Sequence, residues 1–269
     1  MTDNSYDAWI DGQSASAADL ASLAFAGFAH FTAMQIRDGR VKGLDLHLER
    51  LRTASLELFG KAVPDALVRE RIRSAISKEL ADLSLTVTMF SRAGEFTPIG
   101  ASDDPAILVR TSPAFDGPDG PLRLTLVEHE RWLPTIKQVG EAAKTHYLRE
   151  AVSRGFDDAA FIDRAGRISE ATIWNMAFWD GEAVVWPVAD VLPGVTMSII
   201  RRQLKALGIT QRDMPINVAA LKAVEGAAVM NSWSPGIAIK AIGATEIPTT
   251  PVFPALLRQA YRAEPAVEV

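Results

Sequence analysis

Residues Gly155 to Thr196 read GFDDAAFIDRAGRISEATIWNMAFWDGEAVVWPVADVLPGVT. Four short apolar runs, DAAFID, RISE, TIWNMAFW and AVVWP, lie within this stretch, and Asp163 to Gly166 and Asp180-Gly181 supply turn residues between them. Runs this short and this closely spaced predict the strands of a strongly curved or barrel-like sheet. No G-x-G-x-x-G follows a strand, so a doubly wound dinucleotide-binding sheet has no support. The stretch closes on a Pro193-Gly194 turn. Thr196 is placed to cap a helix that runs to about Leu207 and stops at Gly208.

Upstream of this stretch, a helix over about Glu141 to Ser153 ends at Gly155, and the strand LRLTLVEHE precedes it. Downstream, apolar strands are expected around Ala228–Asn231 and Ile237–Ile242, then a final helix from about Val252. The clearest break in the chain is TSPAFDGPDGP, Thr111 to Pro121, whose glycines and prolines mark a linker or long loop. It divides the chain into an N-terminal lobe, residues 1–116, and a C-terminal barrel-like lobe, residues 117–269. The first lobe reads as strand from Phe28 to Arg37, a turn at Asp38-Gly39, strand at Arg40-Val41, and a helix from Leu44 to Phe59 stopped by Gly60. A second helix starts behind Pro64 and runs to about Ala81. Strands from Leu85 and from Ala106 follow. The class is α+β.

The composition narrows the function. With 28 Lys+Arg against 33 Asp+Glu, the net charge is −5, which gives no bulk attraction for nucleic acid or an anionic membrane. There is no cysteine, which excludes disulfides, thiolate metal sites and a cysteine nucleophile, and the reducing cytoplasm is the expected compartment. No apolar run reaches the roughly 18 residues of a membrane helix. His30, His129 and His146 make no ligand pattern, and no metal is expected.

Four features can carry chemistry. HLERL, His47 to Leu51, puts Arg50 on a helix face with His47, Leu51, Ala54 and Leu58. A guanidinium there suits a phosphate, or it snorkels to water. Lys137 lies between Ile136 and Val139, where desolvation would make its amine a nucleophile toward an aldehyde. An exposed loop lysine is the plainer reading. Lys144 reads as part of a solvated helix face with Glu141 and Tyr147. Glu170 sits in a strand that reads as buried and needs a partner, either an ordinary ion pair or a protonated ring nitrogen. Val195 and Thr196 open a helix whose free N–H groups form an anion site or simply a plain cap.

In order and spacing, HLERL, Lys137, GFDDA, ISEATIWN and LPGVT resemble the class IV aminotransferases, the fold type IV enzymes that use pyridoxal 5'-phosphate. The family includes branched-chain and D-amino-acid transaminases and aminodeoxychorismate lyase. The resemblance implies a two-lobed fold, a homodimer, an amino acid or amine as donor and a 2-oxo acid as acceptor. It implies that Lys137 holds the cofactor as an internal aldimine and moves protons at the substrate α carbon. Glu170 would pair with the pyridine nitrogen, with Asn175 ordering its strand. Arg50 and the N–H groups of Val195 and Thr196 would bind the phosphate, together with Ser232 and the Trp233 backbone in MNSWS. Lys137 precedes Glu170 by thirty-three residues, near the family's spacing, whereas Lys144 precedes it by twenty-six. Departures from the family pattern fall on the substrate side. Phe31-Thr32-Ala33 replaces a common F-E-T, Trp233 stands at a usual threonine, and Ala142 at a tyrosine of the branched-chain enzymes. A lyase releasing pyruvate, or a non-catalytic protein keeping the fold, are the alternative expectations.

Overall fold

The computed structural model describes residues 7–25, 28–76, 81–92 and 105–269. By its internal contacts the chain divides into two compact units. The first comprises Met1–Phe115, Ile136–Glu141 and Pro265–Val269; the second comprises Asp116–Thr135 and Ala142–Glu264. Lys137 therefore belongs to the first unit and not to the C-terminal lobe expected from the sequence. The cause is backbone pairing with the strand at Ala29–Ile36: Phe31 donates its N–H to the Lys137 carbonyl at 2.9 Å and Val139 to the Ala29 carbonyl at 2.8 Å.

In the first unit, β1 (Asp7–Ile10), β2 (Gln13–Ser14) and α1 (Ala17–Phe25) precede β3 (Ala29–Ile36) and β4 (Arg40–Lys42). They are followed by α2 (Leu44–Phe59), α3 (Asp65–Ala75), β5 (Leu83–Phe90) and β6 (Ala106–Pro113). The sheet is antiparallel in the order β2-β1-β6-β5-β3. Its period-2 alternation puts Met34 and Ile36 of β3 and Leu85, Val87 and Met89 of β5 in one core with Leu48 and Leu51 of α2 and Val68 and Ile72 of α3. α3 stops at Ala75, short of the expected Ala81, because Ile76 turns to an extended conformation at ψ 111°. Residues 77–80 lie outside the described set.

The second unit holds β7 (Leu122–Glu128), α4 (Ala142–Ser153), β8 (Asp158–Ile162), β9 (Ile168–Ala171), β10 (Asn175–Trp179) and β11 (Val184–Pro187). It continues with α5 (Val195–Ala206), β12 (Gln211–Met214), a short 3-10 turn at Ala220–Ala223, β13 (Gly226–Met230), β14 (Ile237–Ile242), β15 (Thr245–Glu246) and α6 (Val252–Ala263). The last strand, β16 (Ala266–Glu268), pairs with β4 of the first unit, to which it belongs. The sheet runs β12-β11-β10-β13-β14-β7-β8-β9, with β15 on β14. β7-α4-β8 and β11-α5-β12 are parallel pairs crossed by a helix, and most of the remaining pairs are antiparallel.

This order forces the sheet to curl. β9 ends at Ala171 and β10 begins at Asn175, yet four strands separate them in the sheet. The Ala171 N–H reaches the Trp174 carbonyl at 2.9 Å, so the two ends meet. The enclosed face carries Leu124, Ile168, Trp174, Met176, Phe178, Val229 and Ile239. The alternate residues Ala177, Ala228 and Met230 face outward against Ile200 and Leu204 of α5 and Phe253 and Leu257 of α6. TIWNMAFW is thus strand only from Asn175, because Thr172 to Trp174 make the closing turn.

Candidate active site

Glu170 lies on β9, where the pairing with β8 shifts register between Ile168 and Ala171, and is only 4% exposed. A carboxylate taken this far from water needs compensating donors. It has three. Its Oε1 accepts from Arg131 Nη1 at 3.2 Å and from Lys144 Nζ at 3.0 Å, and its Oε2 accepts the Leu192 N–H at 3.2 Å. The first two are buried ion pairs. Lys144 is therefore not on a solvated face. Positions 144, 147 and 151 form one stripe of α4, and Ala151 on that stripe is fully buried in a cluster with Ala159 and Phe161 of β8. That i, i+3, i+7 spacing was the sequence signal for the burial of Lys144. Arg131, in the segment between β7 and α4, is buried with Glu170.

Leu192 joins the glutamate to the helix start. Its N–H goes to Glu170, and its carbonyl accepts Asn175 Nδ2 at 2.7 Å. Asn175 is buried at the first position of β10. The next contact explains Gly194: a Cβ there would lie 1.8 Å from Asn175 Oδ1. Gly194 has φ −63° and ψ 138°, which any residue adopts, so sterics and not backbone freedom demand glycine.

α5 begins at Val195 with no side-chain cap from Gly194. The N–H groups of Val195 and Thr196 belong to the first turn and have no acceptor within the helix, and the helix dipole adds positive potential there. Thr196 does not cap its own helix. Its hydroxyl donates to the Asn231 carbonyl at 2.9 Å, tying α5 to the turn after β13. Asn231 organises that turn. Its Oδ1 accepts the Trp233 N–H at 2.8 Å and the Ser234 N–H at 3.4 Å, and its own N–H goes to the Ser234 carbonyl at 3.0 Å. The Trp233 N–H, expected to face a phosphate, is thus engaged within the turn. Ser232 is half-buried between Asn231 and Trp233, and the Trp233 ring meets Trp174 edge to face at 6.0 Å.

The GFDDA turn anchors the glutamate strand from behind. Asp157 exchanges hydrogen bonds with the Arg123 backbone, at 2.6 Å to its Oδ2 and 2.8 Å from its N–H. Asp158 is buried and accepts from Thr172 Oγ1 at 2.6 Å and Trp174 Nε1 at 2.9 Å, the residues of the closing turn. Burial pushes its carboxyl above the usual range, against the lowering effect of these donors.

In the first unit, Lys137 is half-buried, with Nζ 4.8 Å from the centre of the Phe31 ring. Arg50 is half-buried on α2, one turn from the buried His47. Thr32, which stands where the family has glutamate, is fully buried and shares a 2.6 Å hydrogen bond with His47 Nδ1. His30 Nε2 and Ser55 Oγ make a parallel link at 2.9 Å. Burial pushes both histidines down to about 3, and for His47 the Arg50 charge adds to the effect.

The second unit thus brings Glu170, Asn175, Val195, Thr196, Ser232 and Trp233 into one connected framework, while Lys137 and Arg50 stand in the first. The donor set suits a phosphorylated pyridine: a carboxyl acceptor for a ring N–H and a helix start for a dianion, joined through the backbone of Leu192. The fold is that of the branched-chain aminotransferase from Escherichia coli, with TM-score 0.81 and 18% identity over 96% of this chain and 93% of that one. A hypothetical aminotransferase from Mycobacterium tuberculosis, in a PLP-bound form, gives TM-score 0.76 and 22% identity over 96% of this chain and 99% of that one. Among curated sequences, a probable branched-chain-amino-acid aminotransferase of Rickettsia bellii (strain RML369-C) is 24% identical over 203 residues, 71% of this chain and 70% of the relative. Residues 29–242 match the family described as amino-transferase class IV. The chain belongs to the class IV aminotransferases: it is an enzyme that moves amino groups with pyridoxal 5'-phosphate.

Proposed function

We propose that Lys137 is the amine that carries pyridoxal 5'-phosphate, that Glu170 receives its ring N–H, and that Arg50, the Val195 and Thr196 N–H groups and Ser232 hold its phosphate. Asn175 orients the loop between glutamate and phosphate, and Trp233 shapes the turn that presents Ser232. The donor is an amino acid or amine and the acceptor a 2-oxo acid. When bound, the cofactor supplies an electrophilic carbonyl and a ring that spreads negative charge. The protein's part is positional. Glu170 Oε2 holds a proton at the ring nitrogen. Lys137 would hold the cofactor through its Nζ and, when that amine is free, would carry a proton at the donor's α carbon. A homodimer in the cytoplasm completes the reading, supported by the family resemblance and by a chain without cysteine.

One observation carries this: the buried Glu170 is tethered through Leu192 to the chain that opens α5. Borohydride reduction of the loaded enzyme followed by peptide mapping tests it. The phosphopyridoxyl group is expected on the peptide containing Lys137, and a label on Lys144 overturns the assignment. A single turnover with an amino donor is expected to leave the pyridoxamine form. Pyruvate release without that form makes the enzyme a lyase instead.

A further inference from the structure

Glu170 is unusual in carrying two cations on one oxygen. Arg131 and Lys144 both meet Oε1, and their side chains are only 3% and 11% exposed. Oε1 has two acceptor positions, and both are filled. Oε2 has one position taken by the Leu192 N–H and one left. A ring N–H can therefore be received only at Oε2. Charge matters as much as geometry. A lone carboxylate would present one negative charge to a ring nitrogen. In their charged forms the trio of Arg131, Lys144 and Glu170 sums to one positive charge, and burial leaves little solvent to screen it.

We propose that Lys144 is a positioning residue that occupies Oε1 of Glu170 and weakens its carboxylate as a partner for a ring nitrogen, so that this chain protonates its cofactor less completely than a lone glutamate would. The inference rests on the reading of Glu170 given above. It assigns a second role to the lysine that sequence spacing set aside: Lys137 acts on the carbonyl end, and Lys144 acts through Glu170 on the opposite end of the ring. Arg131 alone would still fix the rotamer of Glu170, which makes the extra charge of Lys144 a matter of tuning rather than of holding.

The test uses the holoenzyme loaded with cofactor labelled with ¹⁵N at the ring nitrogen, read by NMR, with Tm measured beside it. Lys144→Gln keeps a donor and removes the charge. Its ring nitrogen is expected to move toward the protonated position, with the ratio of protonated to unprotonated form up about tenfold. Lys144→Arg keeps the charge and is expected to reproduce the native resonance. Should Lys144→Gln not fold, Lys144→Met removes the same charge with a side chain that fills the space. A resonance unchanged in the neutral variant, with only Tm lowered, overturns the proposal. Glu170→Gln separates the two readings. If it shifts the resonance to the unprotonated position, the role of Glu170 stands whatever Lys144 does. If it leaves the resonance in place, that role falls and this inference falls with it.

Discussion

Asn175 and Gly194 are in contact so close that a single methyl group on the glycine would lie 1.8 Å from Asn175 Oδ1. The backbone of Gly194 is compatible with alanine, so Gly194→Ala isolates the steric term. It is expected to cost about 1–3 kcal/mol as an overpacked site and to push Asn175 off the Leu192 carbonyl. Urea denaturation reads the loss. Asn175→Ala removes the obstacle, so the double variant is expected to be less destabilised than the two single losses together. Strict additivity would show that the contact is not the cause.

Asp158→Ala leaves the Trp174 indole N–H and the Thr172 hydroxyl without their acceptor in a buried turn. Each orphaned donor costs about 1–3 kcal/mol. Stability is expected to fall, and Trp174 fluorescence is expected to change with it. Cofactor binding is expected to weaken as well, because the turn fixes the end of the strand that bears Glu170.

Thr196→Val deletes the hydroxyl that donates to the Asn231 carbonyl while keeping the side chain's shape. The expected loss is about 1 kcal/mol of stability. A several-fold weaker affinity for pyridoxal 5'-phosphate is expected in fluorescence titration, because α5 and the turn carrying Ser232 are no longer tied.

His30 and His47 make the first unit sensitive to acid. Both are held down to about 3 by burial, below the ordinary value of 6.5. The unfolded chain takes up these protons first. The stability they confer is full above about pH 6.5 and is lost as pH falls toward 3, at about 1.4 kcal/mol per pH unit for each histidine. His30→Gln keeps a donor near Ser55 and is expected to halve that slope between pH 6 and 4. A thermal-melt series reads it, and an unaltered slope sinks the assignment.

Much of the fold could be read from local signals. α2 begins and ends where the apolar stripe and Gly60 place it, and β8 to β11 follow the four short runs apart from the closing turn at Thr172 to Trp174. β1, β2, α1, β12 and β16 were not legible, being short or drawing their order from partners distant in sequence; β16, for example, pairs with β4. The ion pairs of Glu170 were hidden for the same reason. Arg131 and Lys144 lie 39 and 26 residues away; the stripe of α4 marks Lys144 as inward-facing, but nothing local names Glu170 as the partner of either cation. Spacing supplied the motif; the topology supplied its partners. The bridging backbone of Leu192 was invisible because main-chain groups leave no mark in a side-chain pattern.

Leu192 works as a gauge. With its nitrogen committed to one strand and its oxygen to the next, the acid and the helix start keep a set separation, so a ligand held as proposed would be measured end to end before any chemistry begins. A pyridine lacking its ester, or one lengthened by a single methylene, would satisfy one end and forfeit the other.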